Sequence, residues 1–106
     1  MVILPDLPNN IGKRRRAKHP DGTFFYFKIV DEIKFIQSTH EQKAIYLQKI
    51  QFEETQPIEF RLGYYIIGKK PKMAEKWVWG QFATMLPAED FVNIIRQAQD
   101  KGWFQC

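Results

Sequence analysis

The chain has little of what most enzymes are built around. Its single cysteine, Cys106, is the last residue, so no disulfide can close within the chain and a reducing compartment is expected. The two histidines, His19 and His40, stand far apart with no cysteine beside them, which excludes a metal cluster by spacing. The one serine, Ser38, falls where a helix cap is expected, so a Ser/His/Asp arrangement is not supported. Gly-rich phosphate loops are missing: Gly63 and Gly80 fall inside expected strands and Gly68 at the end of one. The acidic pairs Asp31-Glu32, Glu53-Glu54 and Glu89-Asp90 are sequence neighbours, and such neighbours diverge on a helix and make poor acid/base couples. Apolar runs such as Tyr64 to Ile67 are only a few residues long, against the roughly 20 needed to cross a bilayer as a helix. The N-terminus, MVILPDLPNN, carries no basic segment before its apolar start and no small-residue cleavage site, so the expected location is the cytoplasm. These absences together predict a protein that is not an enzyme and takes no cofactor.

What is present is apolar area and unevenly placed charge. A chain of 106 residues that is 44% hydrophobic and 15% aromatic has enough for one packed core but not for two. The net charge of +4 is mild, yet its distribution is not. Residues 1–22 carry five basic and two acidic side chains, residues 61–76 five and one, and residues 31–60 three and six. Two basic blocks on a small domain create a directional field that attracts a polyanion.

Along the chain, Pro5, Pro8 and Asn9-Asn10 argue against a helix, so residues 1–22 read as an extended basic arm, with Val2 to Leu4 a candidate edge strand. His19-Pro20-Asp21-Gly22 has turn chemistry, and Thr23 to Phe27 reads as a short aromatic strand hairpinned back onto the basic stretch. Ile29, Val30, Ile33 and Ile36 recur at three and four, with charges between them, which predicts a helix ending near Ser38. Ser38 with Glu41, or Thr39 with Gln42, would form a capping box for a second helix over His40 to Phe52, although Ile45, Leu47 and Phe52 also fit a strand. Arg61 to Ile67 and Trp77 to Leu86 read as an antiparallel hairpin joined by the basic loop Gly68 to Lys76. Pro87 with Glu89 and Asp90 starts a final helix with Phe91, Ile94, Ile95 and Ala98 as its apolar stripe, and Gly102 then Trp103 ends it. Trp103 and Phe104 are expected to close the core. The predicted fold is therefore a small α+β domain over 23–106, a hairpin packed by helices in the manner of a winged helix, preceded by the basic arm.

Three functions fit this reading. In the first, a nucleic-acid-binding or regulatory module holds phosphates with Lys13, Arg14, Arg15, Arg16 and Lys18 in the arm and Lys69, Lys70, Lys72 and Lys76 in the loop. Tyr64, Tyr65, Trp77 and Trp79 could stack unpaired bases beside those lysines, or simply fill the core. In the second, a homo-oligomeric interaction module buries its aromatic sheet face against a second copy. In the third, Asp21, Glu32 and Lys34 match the short string of a Mg²⁺ nuclease, in which two carboxylates hold the cation and the lysine helps to activate water.

Overall fold

The computed structural model describes residues 5–53, 57–68, 76–80 and 83–104. Its elements in order are β1 (Arg14–Lys18), β2 (Phe24–Gln37), β3 (His40–Phe52), β4 (Ile58–Ile67), β5 (Trp77–Trp79) and α1 (Ala88–Asp100). The five strands form one curled antiparallel sheet in the order β1-β2-β3-β4-β5, so each strand pairs with its neighbour in sequence. This mostly-β architecture overturns the α+β, winged-helix-like expectation. Both predicted internal helices are strands, and the stretch read as a basic arm contains the edge strand β1.

A bulge and a two-faced sheet explain why the spacing misled. Pairing of β2 with β3 runs from Phe27↔Phe52 to Ile29↔Ile50, then slips by one residue so that Asp31 faces Lys49 and Glu32 faces Gln48. The extra residue, Val30, re-phases the strand, placing Ile29 on one face and Ile33 on the other although they are four apart. The turn at Ser38-Thr39 joins the two long strands and caps nothing on its own side. Its Ser38 amide donates instead to Asp90 Oδ2 at 2.9 Å, and its hydroxyl to Glu89 Oε1 at 3.0 Å. The acidic first turn of α1 therefore ties the helix to the β2–β3 turn as well as complementing its dipole.

One sheet face carries α1. Ile33, Ile45 and Leu47 pack with Ile94, Ala98 and Trp103 into a buried cluster, with Phe35, Tyr64, Leu86 and Ile95 at its edge. The helix ends as its sequence predicts: Gly102 has φ +76°, its amide donates to Gln99, and the Trp103 amide reaches back to the Ala98 carbonyl at 3.0 Å. Trp103 is buried by this reversal while Phe104 stays largely exposed. The hairpin of β4 and β5 also forms as expected, but β5 is only three residues long, and Phe82 of its predicted extension lies outside the described residues.

The other face carries a polar cluster, under residues 5–12. Glu32, whose side chain is fully buried, accepts from the Asn10 amide at 2.9 Å and from Gln48 Nε2 at 3.1 Å, with Lys34 Nζ at 3.6 Å. Gln48 in turn accepts from Arg61 Nε at 2.9 Å, and Asn10 reaches the Tyr65 hydroxyl. The crossing segment is pinned further by Tyr46, which donates to the Pro8 carbonyl at 2.6 Å, and by Trp77, which donates to that of Pro5 at 2.8 Å. Burial, with Glu32 nearby, holds the Tyr46 phenol well above its ordinary range, so it stays protonated as a donor. Trp79 fits against this cluster only because Gly63 has no side chain, since a Cβ there would overlap the indole.

Candidate nucleic-acid interface

Beyond the end of β3, the β1–β2 hairpin continues as a two-stranded ribbon whose tip is the His19–Gly22 turn. The turn forms as its chemistry dictates: Asp21 Oδ1 accepts from the Thr23 amide at 2.9 Å and from its hydroxyl at 2.7 Å. Those bonds hold the Asp21 carboxyl below its usual range. Strand alternation then sorts the basic stretch into two faces. Arg14, Arg16 and Lys18 share one face with Phe24, Tyr26 and Lys28, their partners across the ladder. Arg15 and Ala17 point the other way, where Arg15 Nη2 reaches Asn10 Oδ1 at 3.4 Å.

On the first face Arg14 and Arg16 lie diagonally across aromatic rings, and Lys18 lies directly opposite one. The Arg14 guanidinium sits 3.8 Å from the Tyr26 ring centroid, that of Arg16 4.1 Å from Phe24, and Lys18 Nζ 6.0 Å from the same Phe24 ring. Cation–aromatic contacts of this kind orient the planar guanidinium at modest cost in side-chain freedom. Arg14 is further fixed by a forked pair with Glu53, at 2.6 and 2.9 Å. The pairing raises the Arg14 pKa further and depresses that of Glu53, the hydrogen bond being the larger cause in each case. Arg16, Lys18 and Lys28 have no such carboxylate partner among the described contacts, and all three are exposed.

The remaining predicted residues lie elsewhere. Lys13 is exposed at the foot of β1, where its carbonyl accepts from the Ile29 amide at 2.9 Å. Lys69, Lys70 and Lys72 lie outside the described residues, but the ends of their loop are placed: the Gly68 amide donates to the Lys76 carbonyl at 2.9 Å. That end of β4 is level with the Ser38 turn and on the side of the sheet away from β1. Lys76 and the ribbon tip are therefore at opposite corners, separated along the strand direction by about 40 Å at the usual rise per residue. Lys76 therefore does not share a surface with the cations of the ribbon. Of the aromatic set expected beside the loop, Tyr65 and Trp79 meet Tyr46 edge to face, Tyr64 packs on the α1 cluster and Trp77 bonds the Pro5 carbonyl, and all four are half-buried.

Glu32 and Lys34 do meet, but Phe24 at the start of β2 is already about 25 Å from Glu32 along the strand and Asp21 lies beyond it in the turn, so the nuclease trio does not converge. No group of three or more His, Cys, Asp or Glu among the described residues is placed to hold a metal. No helix among them is long and apolar enough to cross a membrane.

Lys28, Phe24 and Tyr26 are members of this face that the sequence reading did not assign to it. The signal was present in the alternation of Phe24, Tyr26 and Lys28, two aromatic rings and a cation at even positions. It was masked because the strand was expected to end at Phe27, before Lys28. The site is thus a β-hairpin with one basic, aromatic-backed face. No protein-family model, curated protein or solved structure matches the chain.

Proposed function

We propose that this protein is a small nucleic-acid-binding module that lays the β1–β2 ribbon against a sugar–phosphate backbone. The observation that carries this reading is the row of Arg14, Arg16 and Lys18 on one face of the β1–β2 hairpin, whose tip runs past the end of β3, held over Tyr26 and Phe24. Alternate residues of a strand are about 7 Å apart, comparable to the separation of successive phosphates along one nucleic-acid strand. A two-stranded ribbon is also narrow enough to enter a DNA major groove. The contacts are to backbone charge, so the binding they support is tolerant of sequence. Arg14 is a positioned element rather than a full cation, because Glu53 already neutralises it. Arg16, Lys18 and Lys28 supply the attraction.

A fluorescence-polarisation titration of single- and double-stranded oligonucleotides at several salt concentrations tests this. Three phosphate contacts predict a slope of log affinity against log salt of about −2 to −3. Joint replacement Arg16→Glu and Lys18→Glu is expected to weaken binding at least about tenfold at low salt and to flatten the slope by about 2. Charge reversal at Lys69, Lys70 and Lys72 is the control and should leave both nearly unchanged. A slope that ignores the ribbon and follows the loop lysines would overturn this reading.

A further inference from the structure

The sheet has two edges, and they differ in kind. On β1 the hydrogen-bonding phase is set by the Ile29 amide donating to Lys13 and the His19 amide to Thr23, so the odd positions face β2 and Arg14, Arg16 and Lys18 turn their backbone groups outward. A second β1 paired there would set like charges opposite each other. Charged edges of this sort resist self-pairing.

The other edge is open along half its length. β5 covers β4 only from Tyr65 to Ile67, and the Gly80 amide extends this to the Tyr64 carbonyl at 2.8 Å. Among the described residues no strand covers Ile58 to Gly63. The Phe52 amide donates to the Pro57 carbonyl, and with the Gly80 bond this fixes the phase: Glu59, Arg61 and Gly63 bond to β3, while Ile58, Phe60 and Leu62 turn N–H and C=O outward. The side chains of those three are also partly exposed, at 44%, 42% and 41%. An apolar edge with unpaired backbone groups is a template for another strand.

We propose that a second copy of this chain pairs antiparallel along Ile58–Leu62, about a two-fold axis at Phe60. That register makes hydrogen-bonded pairs of Ile58 with Leu62 of the second copy, of Phe60 with its own equivalent, and of Leu62 with Ile58 of the second copy, so every outward group of the three residues finds a partner. On the α1 face the pairing is apolar throughout, and Phe104, whose ring meets Phe60 edge to face at 5.6 Å, flanks it. On the opposite face Glu59 stands across from Arg61 of the second copy, twice, at the non-hydrogen-bonded positions where facing side chains come closest. The sequence Ile-Glu-Phe-Arg-Leu is thus self-complementary in charge as well as in shape. Moving the axis by one residue, to Glu59 or to Arg61, would set Glu59 against Glu59 or Arg61 against Arg61. The alternation of sign selects one register. This association is independent of the ribbon and leaves it uncovered.

Sedimentation velocity of the full chain over a roughly hundredfold concentration range, with amide hydrogen exchange on the same samples, tests the pairing. Reversible dimerisation is expected, with the Phe60 and Leu62 amides exchanging more slowly as the concentration rises. Glu59→Arg replaces two attractive pairs by two repulsive ones at an exposed position and should weaken the dimer at least about tenfold, whereas Glu41→Arg, an equal change of charge elsewhere, should not. A chain that stays monomeric throughout, with unprotected Phe60 and Leu62 amides, would overturn the proposal. So would a dimer whose affinity Glu59→Arg leaves unchanged.

Discussion

Replacing Glu32 by alanine is expected to lower the unfolding free energy by about 3–5 kcal/mol, measured as a shift of the urea midpoint at constant slope. The reason is what remains behind. The Asn10 amide, Gln48 Nε2 and Lys34 Nζ all converge on a buried carboxylate, and removing it leaves the Asn10 and Gln48 donors buried without that acceptor, while Lys34 keeps only the Pro8 carbonyl at 3.2 Å. Removal of a single partner from such a cluster costs more than its net contribution when complete. The double variant Glu32→Ala with Gln48→Ala should therefore be less destabilised than the sum of the two single changes. Additivity of the two would mean that the cluster does not act as a unit. The loss should also loosen residues 5–12, which are held to the sheet partly through Asn10, and proteolysis near Pro8 would report this.

Trp103→Ala is expected to cost about 3–5 kcal/mol as well, through packing rather than polarity. The indole is almost entirely buried, joins the cluster of Ile33, Ile45, Leu47, Ile94 and Ala98, and stacks on Phe60 at 5.6 Å with the rings 17° apart. It also occupies the position after the helix-ending glycine, where its amide returns to Ala98. One side chain thus locks α1 to β4. Trp103→Phe keeps part of the stack and should recover more than half of the loss in the same urea titration. Equal losses for the alanine and phenylalanine variants would show that the stack contributes little.

Local chemistry was legible in the sequence wherever it decided the structure alone. The Pro-Asp-Gly turn, the aromatic start of β2, the β4–β5 hairpin, the final helix and its Gly102–Trp103 ending are all fixed by residues within a few positions of one another. The two long strands were not legible, and for a definite reason. Ile29, Ile33 and Ile36 imitate a helical stripe because the bulge at Val30 re-phases β2, and because both sheet faces are covered, one by α1 and one by the polar cluster. Ala44, Leu47 and Ile50 imitate another, although Ala44 and Ile50 lie on one face and Leu47 on the other. The polar cluster itself joins Asn10, Glu32, Gln48 and Arg61 across three strands and the N-terminal segment, a proximity that no local pattern encodes. The basic ribbon was half legible. Its charges stood out, but their division between two faces needed the strand register, which also separated them from Lys76.

The most direct measurement is an NMR titration of the ¹⁵N-labelled chain with a short oligonucleotide at low salt. If the ribbon is the binding surface, the amide shifts of Arg14 to Lys18 and Thr23 to Lys28 move with a common dissociation constant, while those of β5 and the C-terminal half of α1 stay in place. Shifts confined to Lys76 to Trp79, or none at a concentration that saturates polarisation, would contradict it.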